Sequence, residues 1–203
     1  MKVFVSDDPA DEAAKFIAAA ARDEFVIAVS GGSTPLQMFR ALARVKMRVV
    51  QVDERVAPAG HADRNLTHLR ENWPAEIYPM PVEEPDLEAA AKSYAETLQQ
   101  IAPTLDLVHL GLGADGHTAS LVPGDPVLDV TDRDVAITGV YQGRRRMTLT
   151  YPAINRARQI LWLVTGAEKA EMLRRLLAGD PTIPAGRVQQ GRALVFADRA
   201  AFP

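Results

Sequence analysis

Short apolar runs that alternate with longer amphipathic ones restrict this chain to an α/β architecture. Strands are predicted at 2–5, 25–29, 47–52, 105–111, 134–139, 146–150, 159–165 and 193–197. Between them, 9–22, 35–44, 64–72, 86–101 and 167–178 have helical composition and spacing. Pro79, Pro81 and Pro85 crowd the approach to the fourth helix, and each removes a backbone donor, so a surface connection is expected there. No linker, repeat or low-complexity segment interrupts the 203 residues, which fit one large core, a single domain over 1–203.

Several function classes are disfavoured at this level. A net charge of -3 shows no basic excess to hold a nucleic-acid backbone. No apolar run approaches the ~20 residues that cross a bilayer, and Met1–Val5 is too short for a signal-peptide core. With no cysteine there is no disulfide, thiol nucleophile or thiolate metal site, which is compatible with a cytoplasmic protein. The histidines are scattered, so neither a metal site nor a cofactor is expected.

Chemistry concentrates at strand ends. The apolar run from Leu105 empties into Gly111-Leu112-Gly113-Ala114-Asp115-Gly116-His117-Thr118-Ala119-Ser120, which sets an imidazole beside a carboxylate in a glycine-rich turn. Open α/β sheets hold their ligands at such places. Gly111, Gly113 and Gly116 also satisfy the Gly-x-Gly-x-x-Gly spacing of dinucleotide-binding turns, and Asp129 and Asp132 follow at a tolerable distance. Asp115 and His117 stand where a pyrophosphate would need bare amides, so that reading is disfavoured. An imidazole can take and return a proton near neutral pH, so His117 suits proton transfer. His61, His68 and His109 are read as structural, His109 as a satisfied core residue.

After the second strand, Ser30-Gly31-Gly32-Ser33-Thr34-Pro35 opens a helix. Ser33 or Thr34 is expected to cap it, Pro35 suits its first position, and the free amides offer an anion site at Gly31, Gly32, Ser33 and Thr34. No Gly-Lys-Ser/Thr follows, so this is not a Walker loop. After the third strand, Asp53 can orient a histidine or water while Arg55 grips a phosphate, although taken alone Asp53-Glu54-Arg55 is better read as a solvated charge cluster. Of Arg144, Arg145 and Arg146, one or two at most can face a ligand. Lys169 opens the last helix, where a lysine opposes the helix dipole unless an anion is bound; an ordinary exposed lysine is the alternative.

In this order, the stretches Ser30–Pro35, Asp53-Glu54-Arg55, Asp63-Arg64-Asn65, Leu110–Gly124, Arg146–Thr150 and Thr165–Ala170 resemble the glucosamine-6-phosphate isomerase/6-phosphogluconolactonase family over essentially the whole chain. The resemblance implies a mostly parallel, Rossmann-like three-layer α/β sandwich with a sugar phosphate at the strand C-termini. It implies His117 as the principal catalytic residue, Asp53 as a supporting acid, and Arg55 and Lys169 as phosphate ligands, with Arg146 in a further matching stretch. Two stretches depart from the family's pattern. Val56 replaces an aromatic residue, and Tyr141-Gln142-Gly143-Arg144-Arg145 replaces a proline-rich approach to the Arg-Met-Thr strand.

The deaminase branch looks for a glutamate five residues after the histidine, and this chain has Val122. Hydrolysis of 6-phospho-D-glucono-1,5-lactone, which needs one base and one binding cluster, is therefore the expected activity. His117 would activate water, Asp53 or Asp115 would orient its ring, and amides of the glycine-rich turns would stabilise the oxyanion. A covalent serine route is not favoured, because Gly-x-Ser-x-Gly is absent. The expected partner is the small sugar-phosphate lactone, with no nucleic acid or membrane, on a monomer or weak homodimer. A non-catalytic sugar-phosphate sensor is the rival; it would usually carry a DNA-binding segment, for which a first strand starting at Lys2 leaves no room.

Overall fold

The computed structural model describes residues 1–202. Along the chain these form β1 (Lys2–Val5), α1 (Pro9–Ala20), β2 (Val26–Val29), α2 (Leu36–Ala41), β3 (Arg48–Gln51), β4 (Asp53–Arg55), α3 (Asn65–Asn72) and β5 (Glu76–Tyr78). Then come α4 (Leu87–Ile101), β6 (Leu107–Leu110), β7 (Val135–Ile137), β8 (Arg146–Leu149), α5 (Tyr151–Asn155), β9 (Gln159–Val164), α6 (Ala170–Leu177) and β10 (Ala193–Ala197). Seven strands make a parallel sheet in the order β1-β10-β9-β6-β2-β3-β5.

The central strands are buried along almost their whole length because both faces of the sheet are covered. Alternate side chains point to opposite faces. Ile27, Val29, Val49, Leu107 and Leu161 pack against Ile17 of α1, Phe39 of α2 and Leu69 of α3. Ala28, Val50, Val108, Leu110 and Trp162 face Tyr94 of α4, Ile154 of α5 and Leu173 of α6. This is the three-layer sandwich that the resemblance implies.

Two features place the site. The chain leaves β2 toward β3 and β5 but leaves β6 toward β9 and β10, so the connections part between β2 and β6. A crevice opens at the C-terminal ends of strands at such a switch point. The second feature is a small antiparallel sheet, β4-β8-β7, in which Arg55 stands opposite Arg146.

The expected strands and helices lie within a few residues of the observed ones, with informative exceptions. β4 and β5 were not expected, since Asp-Glu-Arg reads as loop and Glu76–Tyr78 is a three-residue strand shortly before Pro79. Nor was α5, whose Pro152 sits in the first turn, where a missing N–H costs nothing. The helix expected over 35–44 is the six-residue α2; Pro35 is its N-cap and no side chain caps it, so neither Ser33 nor Thr34 has the capping role. Ala167–Lys169 form a 3-10 turn, and Lys169 is the N-cap residue of α6 rather than part of its first turn.

Candidate active site

The cleft at the switch point has a volume of about 230 Å³ and is walled by the loops after β2, β3, β6 and β9. Gly31, Gly32, Ser33, Thr34, Asp53, Arg55, His117, Arg146 and Lys169 all line it. Asp115 is not in the lining but stands behind His117, joined to it. A larger cleft of about 780 Å³ lies at the opposite end of the strands, but it holds no histidine. There Arg22 and Arg48 are neutralised by Asp106 and Glu24.

The Gly111–Ser120 turn folds around its imidazole. The Gly113 amide donates to the His117 carbonyl at 2.8 Å and the Gly116 amide to the Gly113 carbonyl at 3.0 Å, so these two amides are not available to an oxyanion. Asp115 Oδ1 accepts from His117 Nδ1 at 2.5 Å and from the His117 backbone N–H at 3.1 Å. Its Oδ2 accepts from the Tyr141 hydroxyl at 3.0 Å. Burial works against the charged Asp115, but the hydrogen bonds from His117 and Tyr141 prevail and hold its carboxyl below the usual range. An ionised carboxylate only accepts, so Nδ1 carries a proton, and in the neutral ring Nε2 is the nitrogen with the lone pair.

A Cβ on Gly113 would lie 2.0 Å from His117 Nδ1 and 2.6 Å from Asp115 Oδ1. Of the three glycines in the apparent dinucleotide fingerprint, Gly113 thus serves the His–Asp pair. Gly113→Ala is expected to displace the imidazole and lower kcat at least ~10-fold with little change in melting temperature, since the pair is partly exposed. Steady-state rates and a melting curve on one preparation check this.

Asp53 is buried and does not touch His117. Its carboxylate accepts from Ser120 Oγ at 2.6 Å and from Asn65 Nδ2 at 3.3 Å. Of the two carboxylates that sequence reasoning offered as the orienting partner, Asp115 holds that position. Ser120, Asn65 and Tyr141 were missed, and no local signal announces them, because each contact spans a long stretch of chain.

Three cations ring the cleft. Arg55 reaches the Asp63 carbonyl at 2.7 Å with one guanidinium nitrogen, while its buried Nε has no protein partner. Arg146 is buried, stacks over the Tyr141 ring at 4.9 Å, and leaves Nε unpartnered. Burial depresses its pKa, opposed by nearby Asp53. Among the described residues Lys169 has no acidic partner within ion-pair distance. Arg144 is bound to Asp63 at 2.6 Å and Arg145 points outward, so Arg146 is the member of its triplet that lines the cleft.

Glu54 shows what the Asp-Glu-Arg and Asp-Arg-Asn stretches do together. It is wholly buried and accepts from the amides of Arg55, Asn65 and Leu66 at 2.8, 2.7 and 2.9 Å, and from Gln51 Nε2 at 2.9 Å. Arg64 Nε lies 3.1 Å from the same carboxylate. A solvated charge cluster is thereby excluded for Glu54: it anchors the start of α3 and fixes both Arg55 and Asn65.

His109 corrects a further expectation. It is 1% exposed, but neither ring nitrogen has a protein partner, so it is buried without being satisfied. Burial pushes its pKa down to about 3, and it is neutral at physiological pH. Ser30, whose backbone N–H donates to the His109 carbonyl at 3.2 Å, also has its Oγ buried without a partner.

The profile of the glucosamine-6-phosphate isomerase/6-phosphogluconolactonase family matches residues 5–196. The chain belongs to this family. A 6-phosphogluconolactonase of Synechocystis is 39% identical over 91% of this chain and 86% of its own length. The crystal structure of the 6-phosphogluconolactonase of Thermotoga maritima superposes with a TM-score of 0.87 at 25% identity, covering 97% of this chain and 98% of that one. A monomeric glucosamine-6-phosphate deaminase superposes with a TM-score of 0.86 at 20% identity over 99% and 98% of the two chains. The fold therefore serves both branches of the family and does not choose between them. Curated relatives of the lactonase type place this chain among enzymes of that type.

Proposed function

We propose that the chain hydrolyses 6-phospho-D-glucono-1,5-lactone to 6-phospho-D-gluconate, with His117 as general base. The observation that carries this reading is the pinned imidazole. Asp115 holds Nδ1, and Nε2, which makes no hydrogen bond among the described residues, belongs to a side chain lining a cleft ringed by Arg55, Arg146 and Lys169.

The three cations and the amides of Gly31 to Thr34 bind the phosphate, which sets the lactone carbonyl against His117. Nε2 takes a proton from water as the oxygen adds to C1. When the tetrahedral intermediate collapses, the bond from C1 to the ring oxygen breaks, and the imidazolium returns its proton to that oxygen. Asp115 stabilises the transient imidazolium, and Tyr141 holds Asp115 in place. Asp53, tied to Ser120, lies near enough to Arg146 to offset part of the effect of burial on that guanidinium. Among the described residues no amide of Gly31, Gly32, Ser33 or Thr34 is engaged in a hydrogen bond, so all four are free for an anion.

The deaminase reading needs a second acid at the position of Val122, which is a buried aliphatic side chain here. A coupled assay decides between the two: enzymatically generated lactone should disappear well above its spontaneous rate, and glucosamine 6-phosphate should release no ammonia. Ammonia release with no lactonase activity would reverse the assignment. Lys169→Ala is expected to raise KM on the order of 10-fold with kcat nearly unchanged, as for a contact made equally in ground and transition states. An unaltered saturation curve would remove Lys169 from the phosphate site.

A further inference from the structure

His109 lies on β6 opposite Val29 of β2, at the switch point where the two halves of the sheet part. Alternation puts it on the same face as Leu107, beneath the Ser30–Pro35 loop, with the Phe39 ring edge-on at 6.2 Å. Its sheet neighbours on that face are aliphatic: Val29, Leu107, Leu161 and Leu163. A leucine would fill such a place without leaving polar atoms bare. Instead the imidazole has both ring nitrogens unpartnered, the Ser30 hydroxyl is unpartnered too, and both residues line the floor of the cleft.

We propose that His109, with Ser30, is a specificity-determining contact of the enzyme, donating hydrogen bonds from below to the phosphoryl oxygens of the bound sugar phosphate. This rests on the lactonase reading. The rim supplies positive charge through Arg55, Arg146 and Lys169, but charge alone accepts any anion of suitable size. A neutral imidazole N–H and a hydroxyl at fixed positions in the floor reward an oxygen held at a set depth, and a carboxylate lying higher in the cleft forgoes both bonds. Because the imidazole is already desolvated in the free protein, a ligand oxygen satisfies groups that are otherwise bare, and little water has to be displaced from them.

The test compares His109→Leu, His109→Gln and Ser30→Ala with the parent. The measurements are KM for the phosphorylated lactone, inhibition by inorganic phosphate, hydrolysis of unphosphorylated glucono-1,5-lactone, and melting temperature. His109→Leu should raise KM and the phosphate inhibition constant each about 10-fold. Its kcat at saturation, its hydrolysis of the unphosphorylated lactone and its thermal stability should be unchanged, or stability slightly higher. His109→Gln, which restores a donor, should recover part of the loss, and Ser30→Ala should weaken phosphate inhibition several-fold even if the leucine variant does not fold. Parental values in both His109→Leu and Ser30→Ala overturn the proposal. So does a loss of equal size on the unphosphorylated lactone, which would put the contact on the sugar ring. A parent protein that neither hydrolyses the lactone nor responds to phosphate rejects the lactonase reading itself.

Discussion

His117→Ala is expected to lower kcat for lactone hydrolysis by about 10² to 10⁴, the usual contribution of a positioned general base. KM should change little, since the phosphate contacts lie on other loops. The side chain is a quarter exposed and its one hydrogen-bond partner is Asp115, which keeps the Tyr141 hydroxyl when the ring is gone. The fold should therefore survive, and a melting curve matching the parent must accompany the rate measurement. Residual activity above the spontaneous reaction is expected, because the bound lactone still faces the cationic rim. A folded variant working at the parental rate would sink the mechanism.

Glu54→Ala should produce the largest loss of stability of any single change near the site. The substitution leaves two α3 amides, the Arg55 amide and the Gln51 side chain short of an acceptor in the interior, and it strips the buried Arg64 of one of its two carboxylates. Arg64 keeps Glu83 at 2.8 Å, but that partner is half exposed. Removing one member of a buried ion pair costs about 3 to 5 kcal/mol. For a chain of this size, that corresponds to a fall of roughly 6 to 20 °C in melting temperature. Activity should fail too, because Arg55 and Asn65 lose the group that fixes them. Glu54→Gln should be nearly as harmful: its amide nitrogen would face donors. A melting temperature within ~2 °C of the parent for Glu54→Ala would show that the carboxylate is not the anchor.

Much of this architecture is legible in the sequence. Apolar runs with glycine at their ends located the strands that support the site, and the residues at those ends are the ones lining the cleft. What could not be read was the identity of partners. Asp115 and Asp53 are equally plausible supports for a histidine on paper, and only the folded turn shows that Asp115 reaches Nδ1 while Asp53 is claimed by Ser120. β4 stayed hidden because its three charged residues look solvated; four donors that converge on Glu54 draw them inward. His109 looked like an ordinary core residue because nothing local to its strand tells whether a partner comes from a neighbouring loop. Tyr141 lies in a stretch that departs from the family's pattern, and its link to Asp115 depends on the hairpin bridge between Tyr141 and Arg144.

The pairing of β1 with β10, Lys2 opposite Leu194, also bears on how the molecule is made. Among the described residues β1 pairs with no strand but β10, which is made long after it. Until then it waits as a loose end while the inner strands assemble. Pairings this distant slow folding, since loop closure must precede any gain from the contact. A four-residue strand starting with a lysine is a poor template for wrong partners during that wait. Shortening the chain before Ala193 would remove the one strand that β1 joins among the described residues, so truncated products should be the species that clump.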